Sequence, residues 1–320
     1  MSAADNALMH LMIPHASALG DACAQTLGDA ALPNLAALLG LLKPQASPIG
    51  SDEYSFHTPA EQTLAALRGE PLSAQFSTVP VAAWAAQAAG LGSQPGWALL
   101  TPLHLSVGSD QITAHNPADL GLGEAESQAL FQALNELWPA AEGWQSHWLS
   151  PTEWLVAHES LADLRTASVD RVIARSVDSW MPEARRLRTL QNEAQMLLHH
   201  HPLNDAREAQ GLRPVNSVWI SGCGSDLGHA LPADLLIDDR LRAPLLAGDW
   251  AAWIEAWAAL DAGPVAAALA RAQADQSVQL TLCGERLAQT YSMPPRGLLM
   301  RLWQGLLPPR ANTARLLEAL

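Results

Sequence analysis

The chain has 320 residues and a mass of 34.1 kDa, 49% hydrophobic and 16% charged, which excludes intrinsic disorder and supplies a core for two ordinary domains or one large one. Acidic residues outnumber basic ones 32 to 18, a formal charge of −14, so a nucleic-acid partner is not expected. Met1 to Leu11 hold no Lys or Arg and no long apolar run, and no stretch reaches the roughly 18 to 20 apolar residues of a membrane span. Cys23, Cys223 and Cys283 match neither a disulfide framework nor a zinc spacing, so the expectation is a soluble cytoplasmic protein with no membrane partner.

In chain order, His10 to Pro14 reads as a first buried strand. Leu32 to Leu39 reads as a helix with Pro33 at its opening, and Lys43 to Thr58, rich in Pro, Ser, Gly and Asp, as a loop. Ala60–Arg68 and Val81–Ala89 are expected as helices, each followed by glycine. Trp97 to Val107 is strand-like. Glu124 to Trp138 is a helix with acids in its first turn, where the helix dipole favours them. Trp144 to Val156 reads as two strands joined at Ser150-Pro151. Glu183 to His200 is a long amphipathic helix stopped by Pro202, and Val215 to Ser221 a strand that ends in Gly222-Cys223-Gly224. Leu245–Leu260 is expected to be helical, Val278–Cys283 a strand, and Pro295–Leu307 and Thr313–Leu320 closing helices. The alternation of strands and helices argues α/β, with α+β second.

Few residues announce chemistry. His199-His200-His201 invites a metal, but successive helical residues point about 100° apart and cannot face one ion without unwinding. Gly222-Cys223-Gly224 reads either as an anion cradle or as a tight strand-exit turn needing positive φ. Cys283 reads as a small buried apolar residue rather than a nucleophile. Of the twelve tryptophans, Trp144, Trp148 and Trp154 cluster into an aromatic segment: a local layer of core, or an exposed patch for a protein partner.

The most informative stretch is His201-Pro202-Leu-Asn204-Asp-Ala-Arg207, then Gly211, Pro214-Val-Asn216, and an apolar strand closing on Gly222-Cys-Gly224. It resembles the pattern of the archaeal-type, cofactor-independent phosphoglycerate mutases, H-P-x-N-x-x-R, a glycine, P-x-N and G-x-G, with nine matches in 24 positions. Leu32-Pro-Asn-Leu35 is similar to the family's first helix start, and Asn116–Leu134 to an acidic helix in its inserted domain. The run from Arg186 to Leu198 resembles a proteobacterial family, phosphoglycerate-mutase-like, known as regulators of pathogenicity factors. The resemblance implies an alkaline-phosphatase-like α/β core with an inserted α+β domain. The core would comprise residues 1–100 and 213–320 and the insertion 101–212; a single compact α/β domain is the alternative. It also implies His201, Asn204, Arg207 and Asn216 as ligand-binding residues and Ser51, in Gly50-Ser51-Asp52, as the nucleophile, although the triplet also reads as an ordinary turn.

The mutases hold two divalent metals with several Asp and His, the first an aspartate at the end of the first strand. Here that place reads Ile13-Pro14-His15-Ala16-Ser17, with no aspartate, and Asp226-Leu-Gly-His229 resembles a metal-binding fragment that arrives too early in the chain. Two metals beside a phosphate need several anionic ligands, so the loss of one weakens the site. The expectation is a non-catalytic, regulatory relative with no cofactor, binding a phosphorylated small molecule or a protein. The alternative is an active mutase or phosphohydrolase with rearranged ligands, needing manganese or magnesium. For Arg207 two readings stand: a phosphate clamp, or a tie holding the loop through carbonyls or an acid such as Asp205 or Glu208.

Overall fold

A computed structural model describes residues 8–70, 78–226, 228–294 and 311–320. The expected helix over 295–307 lies outside the described residues. In chain order the elements begin with β1 (Met9–Ile13), α1 (Asp21–Asp29), α2 (Pro33–Leu41), β2 (Lys43–Pro44), β3 (Ile49–Gly50) and α3 (Pro59–Leu67). Then come α4 (Val81–Ala88), β4 (Trp97–Leu103), β5 (Leu105–Val107), β6 (Ile112–Ala114), α5 (Glu124–Ala133), β7 (Gln145–Ser150) and β8 (Glu153–Ala157). A short α6 (Val169–Val172), α7 (Arg185–His199), α8 (Pro202–Ala209) and β9 (Ser217–Gly224) follow. The chain closes with β10 (Leu235–Ile237), α9 (Arg242–Leu246), α10 (Trp250–Leu260), α11 (Ala266–Gln273), β11 (Val278–Cys283), β12 (Leu287–Ser292) and α12 (Thr313–Glu318).

The fold is α/β, in two units. The first comprises Met1–Ser55, Gln62–Arg68 and Ala230–Leu320; the second comprises Phe56–Glu61 and Gly69–His229. The first is therefore discontinuous in sequence. Strand β4, which the expected boundary at residue 100 would cut, pairs antiparallel with both β8 and β9, so residues on either side of that boundary share one sheet.

In the first unit the sheet runs β10-β1-β11-β12, with β2 and β3 both on β12; β1 is parallel to β10 and β11, and the rest is antiparallel. Alternation along β1 sends Leu11 and Ile13 into a core shared with Leu35 and Leu38 of α2, Trp253 and Trp257 of α10 and Leu280 and Leu282 of β11. His10, buried, instead meets Thr281 Oγ1 at 2.8 Å, and Thr281 meets Thr290 at 2.8 Å, a polar row along neighbouring strands. Helix α2 opens on Pro33 without a capping side chain at Leu32. Asp261 supplies the cap from across the core: its carboxylate accepts the Leu35 N–H at 2.7 Å and the Asn34 N–H at 3.2 Å. Asp261 stands at the head of a π turn, Asp261–Val265, which absorbs Pro264 and lets α10 run on into α11.

The second unit is built on an antiparallel sheet, β7-β8-β4-β9, and a β5-β6 hairpin. Helix α7 buries Leu187, Leu190, Ala194 and Leu198 at helical spacing. The strand break at Ser150-Pro151 is as the sequence implies. Trp144 and Trp154 are buried and Trp148 partly so, all in one core with Phe131 of α5. Both Trp148 and Trp154 donate their indole N–H to Ser127 Oγ, at 2.8 and 3.0 Å, and that hydroxyl donates to Pro151 O. The aromatic segment is thus largely an interior layer, and its tryptophans lend no support to an exposed docking patch. Gly222 lies inside β9 rather than after it: its φ of 60° is left-handed, and a Cβ would come within 2.9 Å of the Ala82 backbone nitrogen of α4. The glycine is needed for that close approach.

Candidate functional site

The segment with the strongest motif folds into a knot in the second unit. His201 ends the α7 connection and caps α8, its Nδ1 accepting the Leu203 N–H at 3.2 Å. Asn204 joins three chain segments. Its amide donates to Leu198 O at 2.7 Å and Val215 O at 2.9 Å, and its oxygen accepts the Val215 N–H at 2.8 Å. Asn216 pairs with the Leu105 backbone in both directions, accepting its N–H at 2.8 Å and donating to its carbonyl at 2.9 Å. Arg207 is fully buried, and each guanidinium nitrogen donates within the chain: Nε to Arg213 O at 2.9 Å, Nη1 to Glu126 Oε2 at 2.9 Å, and Nη2 to Leu120 O. The acid it holds is Glu126 of α5, not the neighbouring Asp205 or Glu208.

Ser51 belongs to the first unit. It is exposed, in a turn where Asp52 accepts the Tyr54 N–H at 3.0 Å. The other half of the expected catalytic apparatus would sit where β1 ends. There His15 takes a left-handed φ of 58° and its carbonyl accepts the Trp253 indole N–H. At the end of β10, Asp238 is gripped by Arg240 through two bonds, 2.8 and 2.7 Å, and beyond β11 Glu285 accepts the Leu19 N–H at 2.7 Å. Open α/β sheets take ligands beyond the carboxyl ends of their parallel strands. Here that space holds Leu320, 5% exposed, whose carbonyl accepts the Arg286 and Leu287 N–H groups, while a Cβ on Gly284 would meet Ser17 and Leu320.

The resemblance implies two divalent metals, and the residues present do not fit them. Among the described residues no three His, Cys, Asp or Glu side chains gather so as to hold an ion, and Asp238, after β10, and Glu285, after β11, are engaged by Arg240 and a backbone N–H. Asp226 turns back on its own loop, accepting the Gly228 N–H at 3.1 Å. Burial pushes the Cys223 and Cys283 thiols up to about 12, which leaves neither a nucleophile at neutral pH.

Two further features escape sequence reading. A cleft of about 220 Å³ in the second unit is lined by Ala83, Gln87, Ser93, Gln94, Trp97 and Asp226 among others; its one charged lining group is an acid, so it is a poor seat for phosphate. At the open end of the β5-β6 hairpin, the His115 N–H donates to His104 O at 2.9 Å and the two imidazoles lie 5.3 Å apart, centre to centre. His104 Nδ1 donates to Pro214 O at 2.9 Å, His115 Nε2 meets Ser106 Oγ at 2.9 Å, and Arg213 reaches Asp119 at 3.5 Å. Partial burial, then Arg213 and His104, hold the His115 pKa below its ordinary value, with Asp119 opposing. The two histidines are eleven residues apart, and only the hairpin register brings them together.

No family model matches the chain, and no curated protein does. Two solved structures are similar along nearly its whole length. The cofactor-independent phosphoglycerate mutase of Thermoplasma acidophilum DSM 1728 is 14% identical, with 96% of this chain and 94% of that one covered and a TM-score of 0.37. The PH0037 protein of Pyrococcus horikoshii is 11% identical, covering 97% of this chain and 92% of that one, with a TM-score of 0.49. Among the described residues no helix is long and apolar enough to cross a membrane.

Proposed function

We propose that this chain is a phosphoglycerate-mutase-like protein of the alkaline-phosphatase class that has no working metal centre and acts by binding, in a regulatory role, a phosphorylated metabolite or a protein. The motif from His201 to Gly224 supports the relationship, together with the discontinuous α/β architecture. The observation that carries the non-catalytic reading is the exit of β1. Pro14-His15-Ala16-Ser17 offers no carboxylate there, the nearby acids are engaged, and Leu320 fills the space beyond the strand ends. Phosphoryl transfer draws its rate from positioning and charge neutralisation, and metal ions do much of the neutralising; a site without anionic ligands cannot gather them.

The test is metal analysis of the purified protein followed by a phosphoglycerate mutase assay with manganese. The expected outcome is less than one bound metal per chain and no turnover above the blank, with Ser51→Ala indistinguishable from the parent. Two metals per chain, with turnover abolished by Ser51→Ala, would replace this reading with that of an active enzyme with rearranged ligands.

A further inference from the structure

We infer that the open end of the β5-β6 hairpin is an oxyanion site, in which His104, His115 and Arg213 receive the phosphate group of a phosphomonoester. The inference rests on the reading of the chain as a binding protein and gives that reading a place. Cationic groups are scarce in this chain: there is no Lys or Arg between Arg68 and Arg165, and the net charge is −14. Against that background two imidazoles and a guanidinium converge on one hairpin end.

Each imidazole is anchored through one ring nitrogen, His104 on Pro214 O and His115 on Ser106 Oγ, so both rings are oriented before a ligand arrives. Neither His104 Nε2 nor His115 Nδ1 bonds to any described residue. His104 spends its Nδ1–H on Pro214 O, so it donates to a phosphate oxygen from Nε2 only as the imidazolium, whereas His115 can donate from Nδ1 when its Nε2 accepts the Ser106 hydroxyl; the rings, 5.3 Å apart, then offer two donors to one phosphate. The two-way pairing of Asn216 with Leu105 fixes the first hairpin strand beside Pro214 and Arg213. Arg213 is 48% exposed, and its contact with Asp119 is long at 3.5 Å, which leaves most of its donors to solvent.

Charge decides between an anion and a metal ion. Arg213 repels a cation, and a metal on the two imidazoles would add to the positive field that already disfavours the charged form of His115. A dianion relieves that field. Asp119 is the carboxylate facing the group, and it competes with a ligand for Arg213.

Sulfate is the probe, because it stays dianionic from about pH 5 to pH 8, where histidine titrates. It is added at constant ionic strength against chloride, and the ring C–H resonances of His104 and His115 are followed by NMR. The expected result is an upward shift of the His115 titration midpoint at saturating sulfate, with inorganic phosphate competing. Arg213→Gln should weaken sulfate binding about tenfold, the scale of one charge-assisted contact, and Asp119→Asn should tighten it. Both side chains are half-exposed, so the variants keep the fold, which circular dichroism checks. Midpoints unmoved by sulfate, equal affinity in Arg213→Gln, or zinc held by both rings while sulfate has no effect would each overturn the site. If phosphomonoesters bind with both histidines unmoved, the site is wrong and the binding reading stands. If metals and turnover appear while sulfate binds here, the site stands and the non-catalytic reading falls.

Discussion

The knot around Arg207 and the exit of β1 are the places where the resemblance to the mutases is fullest and thinnest. In the knot every matching polar side chain grips main chain or a structural acid: Asn204 holds Leu198 and Val215, Asn216 holds Leu105, and Arg207 holds Leu120, Arg213 and Glu126. At the exit of β1 the His15 carbonyl accepts from Trp253, the Glu285 carboxylate accepts from Leu19, and Leu320 lies against Gly284. The difference shows that a match in spacing can report a folding constraint. A buried guanidinium with three acceptors is as demanding of its neighbours as a catalytic one, because each group it leaves behind is stranded.

The largest expected effect lies in the knot. Arg207→Ala strands two carbonyls and frees Glu126, which is 35% exposed and can find water, so the loss should be about 3 kcal/mol in urea denaturation. A loss below about 0.5 kcal/mol, the range of ordinary surface substitutions, would break the claim that the motif is scaffold. The first unit has its own counterpart in Asp261→Ala, which removes the cap of α2 and leaves the Asn34 and Leu35 N–H groups unpaired, at a cost of about 2 kcal/mol by the same measurement.

The smallest effect is a pH slope. Burial holds the His10 pKa below its ordinary 6.5, with Asp234 opposing. Below about pH 6.5 the unfolded chain therefore takes up a proton that the folded chain resists, and stability falls as pH falls through that window. His10→Gln should flatten the slope. An unchanged slope in a stability titration from pH 7 to about pH 5 would assign it to other groups.

Local signals made much of the architecture legible. The short apolar run of β1 before Pro14, Pro33 at the head of α2, the Ser150-Pro151 break between β7 and β8, and the helical spacing of α7 all act within a few residues, and all are found. What sequence hides is partnership at long range. Strand β12 (Leu287–Ser292) lacks a clean apolar alternation and is held by β11, β2 and β3. Helix α11 hides behind Gly263-Pro264, and α10 and α9 are separate where one helix is expected, parted at Gly248. Of the site, the grouping of His201, Asn204, Arg207 and Asn216 could be read, but not their occupation: Glu126 lies 81 residues from Arg207. The pairing of His104 with His115 carries no motif at all.

The register of β1 has a consequence for the order of events during synthesis. Its parallel partners are residues 235–237 and 278–282, so its edges stay unpaired until most of these residues have been made, whereas the sheet of the second unit draws only on residues 97–224. At the ordinary pace of about 5–20 residues per second, Leu11 and Ile13 wait on the order of tens of seconds for β11 to emerge. On the ribosome the second unit is therefore positioned to fold first, while the apolar strand β1 waits with both edges unpaired.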